Sequence, residues 1–147
     1  MGPRAESATP AARLWEATMG KQDLEGLTTR FLDAWNSQDV ERVVTCYTED
    51  VRYRDPNTRG YVEGRDAMRR YLRKLFASWQ MTWARREVFE LASTPGVAFL
   101  WHATFRRPGG AEMIEADGMD LVVLRGDQLV RNEVYFDRAV LAPLLAG

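Results

Sequence analysis

One cysteine and one histidine in 147 residues leave little material for disulfide or metal chemistry. Cys46 has no second thiol to pair with, so an intramolecular disulfide is excluded and a reducing, cytoplasmic setting is the expectation. With His102 as the sole imidazole, a tetrahedral zinc site lacks ligands, and no Asp-rich loop suggests magnesium or calcium. No metal and no cofactor is expected. Long hydrophobic runs are missing too. No segment approaches the ~20 apolar residues a membrane span needs, and the N-terminus lacks the continuous apolar stretch of a secretory signal. Nucleophile elbow, phosphate loop and dinucleotide fingerprint are all absent, which removes support for serine hydrolase, kinase and NAD-dependent chemistry. Excess positive charge is absent as well. The formal net charge is −1 and the basic residues are scattered, so neither nucleic acid nor a membrane surface is the expected partner. The one basic run, Arg69 to Lys74, reads as the solvated face of a helix.

What is present is the balance of an ordinary globular chain, 46% hydrophobic and 28% charged. The length suits one domain, read here as residues 23–147 behind a tail of residues 1–22. That tail has room for a turn or two of helix around Leu14, Trp15 and Met19.

From Leu24 the apolar residues take helical spacing, with Leu24, Leu27, Phe31 and Trp35 forming a stripe to about Gln38. Asp39 is placed to cap a second, short helix with Val40, Val43, Val44 and Tyr47 inward, closed by Glu49-Asp50. A strand then opens at Val51. A third helix begins near Gly64, where Met68, Tyr71, Leu72, Leu75 and Phe76 fit the helical template. Four strands follow, at about Met81–Leu91, Val97–Phe105, Glu112–Leu124 and Leu129–Phe136, punctuated by glycine-containing turns. Asp137 could cap a short terminal helix through Leu144. Helices first and strands together predict an α+β fold with helices on one face of a curved sheet.

Alternation along the strands sorts the faces. Val51, Tyr53 and Asp55 share a face, and Pro56 biases Asp55 toward an extended backbone. On the second strand of the meander Val97, Phe99, Trp101, Ala103 and Phe105 form an apolar set, which puts His102 outside. On the next strand the face running from Ile114 to Leu124 is apolar except at Asp120. On the last strand Val130, Asn132, Val134 and Phe136 point one way, and Arg131, Glu133 and Tyr135 the other. Three apolar stripes thus carry Asp55, Asp120 and Asn132 inward. An ionised carboxylate in such a place must be paired, hydrogen-bonded or neutral, and two acids in one cavity push their protonation apart. The plainer reading is that Asp55 caps the Asn57-Thr58 turn and Asp120 bonds a backbone amide.

The order of elements, with Asp55-Pro56, the Gly64–Tyr71 stretch, Gly118-Met-Asp-Leu121 and the Asn132–Asp137 stretch, resembles the SnoaL-like, ketosteroid isomerase-like branch of the nuclear transport factor 2-like superfamily. The resemblance covers Leu24 to the C-terminus. It implies a conical α+β barrel, a curved antiparallel sheet with three helices of the N-terminal half on its concave face, enclosing a deep apolar pocket. It also implies a homodimer formed through the outer sheet face. On the isomerase pattern Asp55 falls on the general base and Asp120 on the protonated acid that donates to the developing enolate oxygen, a chemistry taken from the well-characterised isomerase. Phe31 stands where that pattern has its oxyanion-hole tyrosine, which argues against steroid isomerisation. The epoxide hydrolase constellation would fall on Trp101, Ala103 and Val134, which cannot perform it.

What remains is proton transfer α to a carbonyl of a mostly apolar small molecule, of cyclase or isomerase type. Asp55 would be the base, and Asp120 with Asn132 would bind the oxygen that gains charge. Phe31, Trp35, Tyr53, Trp101 and Phe136 would form the walls. A binding module that holds a small hydrophobic ligand without turning it over, and a dimeric interaction scaffold, stay open as alternatives.

Overall fold

The computed structural model describes residues 21–145, so of the tail read at residues 1–22 all but the last two, Trp15 included, lie outside the described residues, and those two already belong to the first helix. Helix α1 spans Lys21–Ser37 and buries the predicted stripe of Leu24, Leu27, Phe31 and Trp35. Asp39 caps α2 (Val40–Val44), its carboxylate accepting from the backbone N–H groups of Glu41 and Arg42 at 3.0 and 3.2 Å. Strand β1 (Tyr47–Arg54), the two-residue β2 (Val62–Glu63) and helix α3 (Arg65–Ser78) follow. The meander is β3 (Gln80–Glu90), β4 (Gly96–Arg106), β5 (Met113–Arg125) and β6 (Gln128–Tyr135). A 3-10 turn (Arg138–Leu141), capped by Asp137, runs into α4 (Ala142–Leu145).

The six strands form one curved, unclosed sheet in the order β2-β1-β6-β5-β4-β3. The α+β architecture is the one expected. Alternation holds on β4, where Val97, Phe99, Trp101, Ala103 and Phe105 are all buried, and on the second half of β5, where Asp120, Val122 and Leu124 are. These side chains meet the apolar faces of α1 and α3 in one continuous core.

Four local features differ from the sequence reading. Tyr47 belongs to β1 and not to the second helix, because its backbone pairs with Leu129 on β6 and the N–H of Leu129 reaches the carbonyl of Cys46 at 2.8 Å. Glu49 and Asp50 therefore lie within β1, where an irregular register between Tyr47 and Arg52 turns both to solvent. Strand β2 was unforeseen, since two residues carry no periodicity; it pairs with Arg52 and Tyr53. The sheet is also not wholly antiparallel, because β1 and β6 run in the same direction. Finally, a bulge at the β5–β6 turn sends Leu129 into the core in place of Val130.

Candidate functional site

Asp55 follows the last residue of β1, and Pro56 supplies no N–H with which to extend the strand. The chain turns back on the Asp55 side chain, whose Oδ1 accepts from the Asn57 N–H at 2.7 Å, while Thr58 Oγ1 accepts from the Asp55 N–H at 3.1 Å. So far this is the turn-capping role. The other oxygen does something else. Oδ2 accepts the hydroxyl of Tyr53 at 2.6 Å and, through a short hydrogen bond, that of Tyr71 on α3. Three donors from three places in the chain fix this half-buried carboxylate. Burial, reinforced by the Asp55 charge, holds both phenols well above their ordinary pKa, so they stay neutral donors.

Asp120 sits midway along β5 with 6% of its surface exposed. Its Oδ1 accepts from the Trp101 indole N–H at 2.7 Å and its Oδ2 from the Asn132 amide at 2.9 Å. Asn132, fully buried, accepts in turn from the Tyr47 hydroxyl at 2.7 Å and donates to the carbonyl of Leu121. Desolvation pushes the Asp120 pKa up to about 7; the Asn132 and Trp101 donors oppose that rise and the Asp55 charge adds to it. Gly118 makes the arrangement geometrically available. A Cβ at that position would lie 2.4 Å from the Trp101 ring and 2.6 Å from the Tyr135 carbonyl, so only glycine lets the indole lie across β5 to reach Asp120.

Both acids line one hollow, together with Phe31, Leu32, Trp35, Tyr53, Asn57, Leu75, Met81, Trp83, Phe105, Val134 and Phe136. Its lining is almost wholly apolar and its free volume is about 30 Å³, room for about two waters. Among the described residues Trp83 keeps a buried indole N–H with no hydrogen-bond partner, its ring in the wall of the hollow. Of the predicted residues, Asp55, Asp120, Phe31, Trp35, Tyr53 and Phe136 line the hollow. Trp101 and Asn132 do not: they stand behind Asp120 as its donors, because both are completely buried in the strand layer. His102 lies on the outer face, as parity requires, between Asp117 at 2.8 Å and Glu115 at 3.2 Å, which hold its pKa up.

Three participants were missed. Tyr71 was legible only as part of a helical apolar stripe, since nothing local reveals that its hydroxyl meets a residue sixteen positions away. Tyr47 fitted a helix face as well as a strand. Trp83 sits on a strand whose alternation is broken by a register shift at Arg85–Glu87. Among the described residues no group of three or more His, Cys, Asp or Glu side chains could hold a metal ion. No described helix is long and apolar enough to cross a membrane.

The same backbone arrangement occurs in solved structures. A nuclear transport factor 2-like protein from Burkholderia pseudomallei superposes with a TM-score of 0.73 at 18% identity, over 84% of this chain and 97% of that one. A ketosteroid isomerase-like protein from Erwinia carotovora atroseptica gives 0.62 at 20%, over 77% and 92%. The epoxide hydrolase/cyclase-like enzyme SalBIII, described for pyran ring formation in the polyether salinomycin, gives 0.70 at 18%, over 81% and 94%. At these identities the likeness is one of fold, and the fold is nuclear transport factor 2-like. A search of curated proteins found no match. A family model for the SnoaL-like domain matches residues 28–132, most of the chain, with Asp55, Asp120 and Asn132 all inside it. The chain belongs to the SnoaL-like family.

Proposed function

We propose that this SnoaL-like protein is an enzyme that moves a proton α to a carbonyl of a mostly apolar small molecule, by cyclase- or isomerase-type acid–base chemistry. The observation that carries the reading is that two carboxyl groups from separate elements, Asp55 and Asp120, line the same apolar hollow in unlike surroundings. Asp55, fixed by three donors, is the base that removes the α-proton with a lone pair left on its carboxylate. Asp120, with its pKa near 7, supplies a neutral fraction at physiological pH that donates to the carbonyl oxygen as it becomes an enolate. The enolate then either recovers the proton from Asp55 at another carbon or adds to a second carbonyl whose oxygen takes that proton, and in both cases Asp120 regains its own proton as the first carbonyl re-forms. Asn132 and Trp101 keep the Asp120 carboxyl oriented throughout. The indole N–H of Trp83 is the donor left for an acceptor atom of the ligand.

The test is α-proton exchange of 2-tetralone in deuterated buffer, followed by NMR. The wild type should deuterate the probe, and Asp55→Asn should slow this by about 100-fold or more while melting as the wild type does. No enzyme-dependent exchange would remove the catalytic reading and leave a binding module for a small hydrophobic ligand. Homodimerisation through the outer sheet face belongs to the same family reading, and sedimentation equilibrium would decide it.

A further inference from the structure

The hollow is too small for a whole substrate, and it does not end at Asp55. A second, open groove of about 570 Å³ shares Asp55, Val134 and Phe136 with it and continues past Pro56, Thr58 and Gly60 to Arg54 and Tyr135. The groove passes over the point where the adjacent strands β1 and β6 both end, so it leads from the inner face of the sheet round to the outer one.

At its outer end the charge is unbalanced. The Glu133 side chain is 3% exposed and takes ion pairs from two guanidinium groups, Arg54 at 2.7 Å and Arg131, besides the hydroxyls of Tyr61 and Tyr135 at 3.0 Å. Two cations on one carboxylate leave a net positive charge. Arg54 is also tied to the Tyr135 hydroxyl at 2.8 Å, so its planar head is held in one orientation while its side chain remains 42% exposed. A guanidinium with part of its fork engaged and the rest open is pre-set to take a planar anion.

We propose that this groove binds the remainder of the substrate, and that the substrate is a carbonyl compound with a carboxylate at its far end, which the free edge of the Arg54 guanidinium receives. The inference rests on the proton-transfer reading of the hollow and adds the substrate class to it. The groove has a polarity that sets direction: the Asp55 carboxylate at the inner end repels a second anion, whereas Arg54 at the outer end attracts one. The neutral carbonyl therefore goes in first and the anion stays outside.

The test compares 5-oxo-5-phenylpentanoate with its methyl ester by calorimetric titration of the full-length protein. The acid should bind about tenfold tighter than the ester, and this preference should shrink with added salt. Arg54→Gln should bring the acid to the level of the ester. Arg54→Lys, which keeps a cation beside Glu133 and guards against loss of folding, should retain most of the preference. Equal affinities in the wild type, no binding of either probe, or a preference that survives Arg54→Gln would each overturn the groove assignment. If the acid binds with the expected preference yet neither probe exchanges its α-protons, the groove stands and the proton-transfer reading falls.

Discussion

Asp120 is the residue whose environment is most expressive, and its protonation couples to folding. Its pKa in the folded protein, about 7, lies above that of a carboxyl in the unfolded chain. Between those two values the folded state holds a proton that the unfolded state has lost, so stability falls as pH rises through this window and levels off above it. From pH 4.5 to 7.5 the contribution should decline by on the order of 3 kcal/mol. Urea unfolding at both pH values should show this as a difference between the wild type and Asp120→Asn. His102, whose protonated form is held by Asp117 and Glu115, is common to both proteins and drops out of the comparison. In activity the direction is the same: kcat should fall above neutrality as the donor proton is lost.

Two neighbours act through the acids. Tyr71→Phe removes one of the three donors on Asp55 and should slow α-deuteration about tenfold, with unfolding at about 1–2 kcal/mol less. Gly118→Ala places a methyl group between the Trp101 ring and the Tyr135 carbonyl, and nothing there can retreat cheaply. The cost should be about 3 kcal/mol, with a change in tryptophan emission as the indole leaves Asp120. The inward direction of Asp55, Asp120 and Asn132 could be read from alternation alone, because Asp120 and Asn132 lie on strand stretches without a bulge and Asp55 directly continues one. Which atoms those groups touch could not. Tyr53, Tyr71 and Tyr47 offer hydroxyls whose partners are fixed by packing between distant segments, and a phenol leaves the same trace in an apolar pattern whether or not its oxygen is used.

Among the elements, β3 is an edge strand, and such edges expose unpaired backbone groups. Here the C-terminal end of α1 covers part of it with two side-chain amides. Asn36 donates to the Trp83 carbonyl and accepts the Trp83 N–H, at 3.0 and 2.7 Å. Gln38, in a left-handed backbone conformation (φ 52°), does the same for the Trp79 carbonyl and the Met81 N–H, at 2.9 and 2.7 Å. The two amides imitate a neighbouring strand. Replacing both by alanine should cost about 2 kcal/mol in chemical denaturation and raise light scattering on warming. This device had no sequence signal, since Asn and Gln at a helix end read as ordinary termination. The long elements were legible because α1, α3, β4 and β5 repeat their apolar period several times. The short ones were not: α2 has five residues and β2 two, too few for any period to establish itself.

At the scale of the molecule, the sheet brings together strands from opposite ends of the domain. Leu129 and Asn132 on β6 lie beside Tyr47 and Tyr53 on β1, about eighty positions earlier in the chain, and that seam separates Asp55 on one side from Asp120 on the other. A chain emerging from the ribosome therefore carries Asp55 long before the strand that lets it share a cavity with Asp120. Contacts of such sequence separation form late and slowly. A version stopped after Arg125 would keep Asp55, Tyr71, Trp101 and Asp120, yet lose Asn132 and the strand that draws the two halves together. Such a fragment should expose its greasy inner surface, bind a hydrophobic dye and show no exchange activity, so that the last strand to be made is the one that completes the protein.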